Sequence, residues 1–114
     1  MRRVALLLTV VALGGGATVA AAIDQAGDRG PNTLTGANGP DRLNGRGGND
    51  TLIGNGGRDL LKGGPGDDTL IGGAGNDRLL GGPGVDAISC GDGRKDVVIT
   101  DGADMIALDC EIIK

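Results

Sequence analysis

Gly63-Gly64-Pro65-Gly66-Asp67-Asp68-Thr69-Leu70-Ile71 is followed without a break by Gly72-Gly73-Ala74-Gly75-Asn76-Asp77-Arg78-Leu79-Leu80. The two nonapeptides share Gly at positions one, two and four, Asp at position six and Leu at position eight. Outward from them, the same frame runs from Gly27 to Ala107 as nine units. Position four is Gly in every unit. Position six reads Asn32, Asp41, Asp50, Asp59, Asp68, Asp77, Asp86, Lys95 and Asp104, and position eight reads Leu34, Leu43, Leu52, Leu61, Leu70, Leu79, Ile88, Val97 and Ile106. Three positions held in phase this long mark a repeat architecture, in which each unit buries its apolar face only by stacking on its neighbours.

Each position has a physical reason. The first six residues of a unit are turn formers, with Gly giving access to positive φ and to close backbone approach. The last three form a short strand whose middle side chain points one way and its neighbours the other, so the single aliphatic faces inward. Two units make one coil with two turns and two strands. The predicted fold is therefore all-β, a solenoid of parallel strands in which alternate units lie above one another.

Stacking brings the position-six carboxylates to about one strand spacing, roughly 4.8 Å. Ionised carboxylates that close repel unless a cation lies between them. Turn carbonyls complete the oxygen shell of six to eight ligands that Ca²⁺ takes, whereas Mg²⁺ requires a tighter octahedron. Composition agrees: 14 of the 15 acidic residues are Asp, and His, Trp, Tyr and Phe are absent. Without His there is no His-based triad and no His ligand for zinc. An Asp-rich, thiol-poor chain favours hard cations.

The units resemble the Gly-Gly-x-Gly-x-Asp-x-aliphatic-x repeats of RTX, or haemolysin-type, calcium-binding proteins, over Gly27 to Ala107. The resemblance implies a right-handed parallel β-roll, with several Ca²⁺ ions held by turn carbonyls and Asp carboxylates between alternate repeats. It also implies a chain that is disordered without calcium and folds when calcium binds. The expected metal ligands are Asp41, Asp50, Asp59, Asp68, Asp77, Asp86 and Asp104, with Asn32 weaker because an amide brings no charge. The expected carbonyl donors are those of Gly36, Gly45, Gly54, Gly63, Gly72 and Gly81 at position one, and of Gly39, Gly48, Gly57, Gly66, Gly75 and Gly84 at position four. Lys95 interrupts the row above Asp77, and its ammonium predicts a metal-free position paired with Asp77. The alternative is a bulge in the unit Cys90 to Val98 that lets Asp96 serve instead. Asp24, Asp28, Asp67, Asp92, Asp101 and Asp109 are expected to be surface residues.

The two ends read differently. Residues 1–22 resemble an export signal: a basic start at Arg2-Arg3, an apolar run from Val4 to Leu13, and small residues up to Ala22. Residues 23–26 form a short leader, and residues 108–114 a capping tail. Cys90 and Cys110 are the only cysteines, and an exported chain with an even count favours a disulfide. Their spacing, close to one coil, is compatible with that bond, which pins the tail over the last coil. Beyond residue 22 the chain carries 9 basic and 15 acidic residues, which argues against nucleic acid as partner and for a cation.

The expected function is that of a secreted, extracellular calcium-binding protein with a structural or interaction role and no enzymatic activity, since no substrate site is evident. Two surface readings stand beside it. One strand face is the more apolar, carrying Thr51, Ile53, Thr69 and Ile71, and suits adhesion or docking of a partner. An ice-binding face needs a regular polar row, and only Thr51 and Thr69 align before Ala87 breaks it.

Overall fold

The computed structural model describes residues 23–93 and 95–114. The export segment predicted for residues 1–22 lies outside the described residues. The strands are β1 (Asp24–Ala26), β2 (Thr33–Thr35), β3 (Arg42–Asn44), β4 (Thr51–Ile53), β5 (Leu60–Lys62), β6 (Thr69–Ile71), β7 (Arg78–Leu80), β8 (Ala87–Ser89), β9 (Val97–Ile99), β10 (Met105–Ile106) and β11 (Ile112–Ile113). There is no helix among the described residues. Odd strands form one parallel sheet in the order β1-β3-β5-β7-β9-β11, and even strands form the other, β10-β8-β6-β4-β2. The chain is thus a parallel β-solenoid of about five turns. The repeat predicts this directly, because consecutive units alternate between sheets and each strand pairs with the one two units away.

Register follows the 18-residue coil. Leu34 pairs with Leu52, Leu52 with Leu70 and Leu70 with Ile88; on the other sheet Leu43 pairs with Leu61 and Leu61 with Leu79. The inward aliphatics form one core between the sheets, with Leu52, Leu61, Leu70 and Leu79 wholly buried. Each contributes about 2 kcal/mol on burial. Ladder bonds reach beyond the short strands: the Leu60 amide donates to the Asp41 carbonyl at 2.9 Å, and the Gly54 amide to the Ile71 carbonyl at 2.8 Å. The turns therefore stack in the same register as the strands, which places every turn directly over another.

The structure corrects the frame at both ends. Residues 24–26 are a strand rather than a leader, paired with β3 as part of an incomplete first coil. At the other end Val98, not Val97, is the buried residue of β9, and Val97 pairs with Arg78, 19 residues back. The unit that ends in β9 is one residue longer than the period, and the next is one shorter, so Ile106 again pairs with Ile88. The outward row Thr33-Thr51-Thr69 on the even sheet has one threonine more than the sequence reading gave it, and it still ends at Ala87.

The disulfide is formed between Cys90 and Cys110, with the Cα atoms 5.1 Å apart. Cys90 is wholly buried and belongs to the core. The bond holds the tail so that β11 covers β9, and the Lys114 amide donates to the Val98 carbonyl at 2.8 Å. A solenoid end is otherwise an open strand edge.

Candidate metal centre

Each position-six carboxylate precedes its strand's inward aliphatic by two residues. That offset sends it to the same interior as the core, at the mouth of the turn. Asp41, Asp50, Asp59, Asp68, Asp77 and Asp86 are all 2 % exposed or less. One oxygen of each is used by the backbone. Asp59 Oδ1 accepts from the Asp41 amide at 2.8 Å, Asp77 Oδ1 from the Asp59 amide at 2.8 Å, Asp68 Oδ1 from the Asp50 amide at 2.8 Å, and Asp86 Oδ1 from the Asp68 amide at 2.7 Å. The carboxylates are thereby fixed in two rows, one along each turn edge of the solenoid.

The second oxygen has no such partner. Oδ2 of Asp50, Asp59, Asp68, Asp77, Asp86, Asp96 and Asp104 is buried without a hydrogen bond. A buried polar atom left unpaired is costly, and a buried charge more so. Those of Asp50, Asp59, Asp68 and Asp77 lie beside the position-one glycines, where a carbonyl of the next coil also converges. A Cβ on Gly54 would sit 2.5 Å from Asp59 Oδ2 and 2.7 Å from the Gly72 carbonyl oxygen; one on Gly63 would sit 2.5 Å from Asp68 Oδ2 and 2.8 Å from the Gly81 carbonyl. Position one is Gly because the space between these oxygens leaves no room for a side chain.

Burial sets the acidity. Desolvation raises the Asp59 carboxyl from 3.8 to about 7 and the Asp77 carboxyl to about 8; Asp68 and Asp86 rise to about 6, and Asp50 and Asp96 rise as well. Backbone amides pull in the other direction, and neighbouring carboxylates add to the rise: Asp41 for Asp59, and Asp59 and Asp96 for Asp77. The arrangement holds charge in a place that resists it, which is the electrostatic description of a cation site.

The family model for the RTX calcium-binding nonapeptide repeat (4 copies) matches at residues 26–61 and again at 53–88. The chain belongs to the RTX calcium-binding repeat family. No curated protein and no solved structure matches it. The residues present fit the ion that the RTX repeat binds. The donors are all oxygen, carboxylate and carbonyl; the Oδ2 atoms of Asp50, Asp59, Asp68 and Asp77 are buried, unpartnered and beside a carbonyl from the next coil.

The RTX frame does not make all units equivalent. Position two adopts left-handed φ at Arg46 (68°), Asn55 (71°) and Gly64 (86°), but not at Asp28 or Ala37. In those two N-terminal turns the position-two amide folds back on the position-six side chain: the Ala37 amide donates to Asp41 Oδ2 and the Asp28 amide to Asn32 Oδ1, both at 2.8 Å. Asp41 and Asn32 therefore have the oxygen that would face a cation already occupied, so Asp41 differs from the equal site the sequence predicts. The Gly36 carbonyl accepts from Asn55 Nδ2 at 2.8 Å. The position-four carbonyls are stacked beneath the next coil's position-four glycine, close to where a Cβ on Gly57, Gly66, Gly75 or Gly84 would lie.

Lys95 is not in the row. Asp96 takes position six, wholly buried, with Oδ1 accepting from the Asp77 amide at 2.7 Å, while Lys95 is exposed. The bulge alternative is the one realised, and no Lys95–Asp77 pair interrupts the row. Asp104 accepts from the Asp86 amide at 3.1 Å. Two tail residues had no signal in the nonapeptide frame. Glu111 Oε1 accepts from the Asp96 amide at 3.1 Å and so closes the row. Asp109, exposed as expected, nonetheless clamps the disulfide: it accepts from the Cys90 and Gly91 amides and the Ser89 hydroxyl, each at 3.0 Å, and these bonds lower its pKa.

Proposed function

We propose that this chain is a secreted calcium-ion-binding protein whose turns close around Ca²⁺, and that it serves a structural or extracellular-interaction role rather than catalysis. The observation that carries the reading is the row of buried carboxylate oxygens without a hydrogen-bond partner, four of which, on Asp50, Asp59, Asp68 and Asp77, face a carbonyl of the next coil. In such a row calcium binding is coupled to folding, since the sites exist only when the coils are stacked. Extracellular calcium fills sites with dissociation constants on the order of 10⁻⁴ to 10⁻³ M. The basic-apolar-small order of residues 1–22 supports export, and the Cys90–Cys110 disulfide suits an oxidising compartment.

A far-ultraviolet circular dichroism titration with calcium, with magnesium as control, tests the reading. A calcium-specific, chelator-reversible gain of β signal is expected. No response to calcium at millimolar concentration would remove the calcium function. Export is tested separately by N-terminal sequencing of the protein recovered from the medium, where a start at Ile23 is expected; retention in the cell with Met1 in place would refute it.

A further inference from the structure

The two outer faces of the solenoid differ in charge. On the even sheet every outward side chain from Thr33 to Ser89 is uncharged. On the odd sheet the three middle strands each present one cation: Arg42 on β3, Lys62 on β5 and Arg78 on β7, all exposed. Arg42 and Arg78 flank Leu60 in one outward row, while Lys62 stands between Asn44 and Leu80 in the other. The cations therefore step from side to side along the solenoid, one per strand, at about 4.8 Å per step along its axis. Asp24, at the N-terminal edge, is the one acid among the described outward residues of this face. Among the described residues no ion pair or side-chain hydrogen bond engages the three cations. The fold does not require them, since the even sheet stacks in the same way without charge.

This is an uneven placement for an acidic chain. The 9 basic and 15 acidic residues beyond residue 22 leave a charge of −6, which three Ca²⁺ ions cancel. The calcium-loaded solenoid thus offers a cationic strip on a body whose acidic turns are neutralised. We propose that the outer face of the odd sheet is a calcium-dependent docking surface for a linear acidic polysaccharide, gripped by Arg42, Lys62 and Arg78. The proposal rests on the calcium reading above and names a partner for it. A line of cations on a rigid ladder fits a line of anions, and each Arg fork pairs with two anionic oxygens at once. Single-stranded nucleic acid calls for aromatic platforms under its bases, and the chain has no Phe, Tyr or Trp. A lipid surface calls for apolar side chains that enter it, whereas Leu60 and Leu80 beside the cations are half-buried in the sheet. By linkage, a partner that binds only the loaded face raises the affinity for calcium in return.

Binding of the full chain to immobilised dextran sulfate, with uncharged dextran as control, tests this. Binding in millimolar calcium, lost in chelator and weakened by salt, is expected. Replacing Arg42, Lys62 and Arg78 together by Gln is expected to weaken it on the order of tenfold, each exposed ion pair being worth a few-fold. Replacing Arg29, Arg58 and Lys95 by Gln makes the same change in net charge away from the face and is expected to leave binding near the wild-type level. Circular dichroism in calcium checks that each variant keeps the wild-type β signal, and the single variant Lys62→Gln, expected to lose a few-fold, replaces the triple if that does not fold. Equal losses from the two triples would overturn the face, as would binding that persists in chelator. Tighter binding to phosphatidylserine vesicles or to DNA at the same salt would overturn the choice of partner. A chain that gains β signal with calcium yet ignores dextran sulfate would overturn this surface alone; one that does neither would overturn the calcium reading with it.

Discussion

The buried carboxylates make a prediction about the metal-free chain. Asp59, Asp68, Asp77 and Asp86 have pKa values of about 7, 6, 8 and 6 in the folded solenoid against 3.8 ordinarily. The folded state therefore binds more protons than the unfolded state, and its stability falls as pH rises from about 4 through 8. Each tenfold in proton affinity is worth about 1.4 kcal/mol, so ionising these four without a cation costs the solenoid something on the order of 10 kcal/mol by pH 8. That matches the whole stability of a small domain, about 5 to 15 kcal/mol. Calcium removes the penalty by neutralising the charge, and protons substitute for it in part. In chelator, the chain is expected to be coil at pH 8 and to gain β signal toward pH 5.5, followed by far-ultraviolet circular dichroism. Asp77→Asn, which removes the most strongly raised group, is expected to move the midpoint of that transition to higher pH. A metal-free chain with full β signal at pH 8 would refute the reasoning, as would a coil whose spectrum is the same at both pH values.

The other consequences concern the core, the cap and the closed turns. Leu61→Ala, at a wholly buried position, is expected to cost about 2 to 5 kcal/mol and to lower the melting temperature in saturating calcium by on the order of 10 °C, read by thermal circular dichroism. Cys110→Ser is expected to lose about 3 kcal/mol in the chain-entropy account. Hydrogen-exchange protection of the Lys114 amide should go with it, since that bond to Val98 depends on the docked tail; unchanged protection would mean the tail docks unaided. Asp41→Asn is expected to leave the number of bound calcium ions unchanged while Asp59→Asn removes one, by equilibrium dialysis, because the Ala37 amide already occupies Asp41 Oδ2. An equal loss from both would show that the amide yields to the ion.

Much of this was legible in the sequence because repetition makes one local pattern global. Leu34 through Leu79 at position eight are the core, the paired register follows the coil, and Asp50, Asp59, Asp68 and Asp86 stand where the frame puts them. Cys90 and Cys110, one coil apart, are bonded. One thing the frame missed is which turns leave their carboxylate open. Whether a turn leaves its carboxylate open depends on φ at position two, and both Ala37 and Asn55 satisfy a loose repeat consensus although only Asn55 is left-handed. Asn and Gly enter that region at small cost, and Ala does not.

The slip at β9 shows which part of the unit is rigid. Asp86-Ala87-Ile88, Asp96-Val97-Val98, Asp104-Met105-Ile106 and Glu111-Ile112-Ile113 each hold an acidic residue two before an aliphatic, and all four acidic side chains accept from an amide of the coil before. In the first three the triplet is fixed because the carboxylate must reach the neighbouring coil while the aliphatic, on the same side of the strand, reaches the core. The turns between triplets carry no such double constraint, and their glycines let them lengthen or shorten. Counting by nine from Gly27 puts Lys95 and Val97 in the functional and core positions; counting by triplets puts Asp96 and Val98 there and finds Glu111 as well. For a glycine-rich solenoid the phase is therefore carried by the acidic-x-aliphatic strand entry, while the glycines answer to close approach and left-handed φ within each turn.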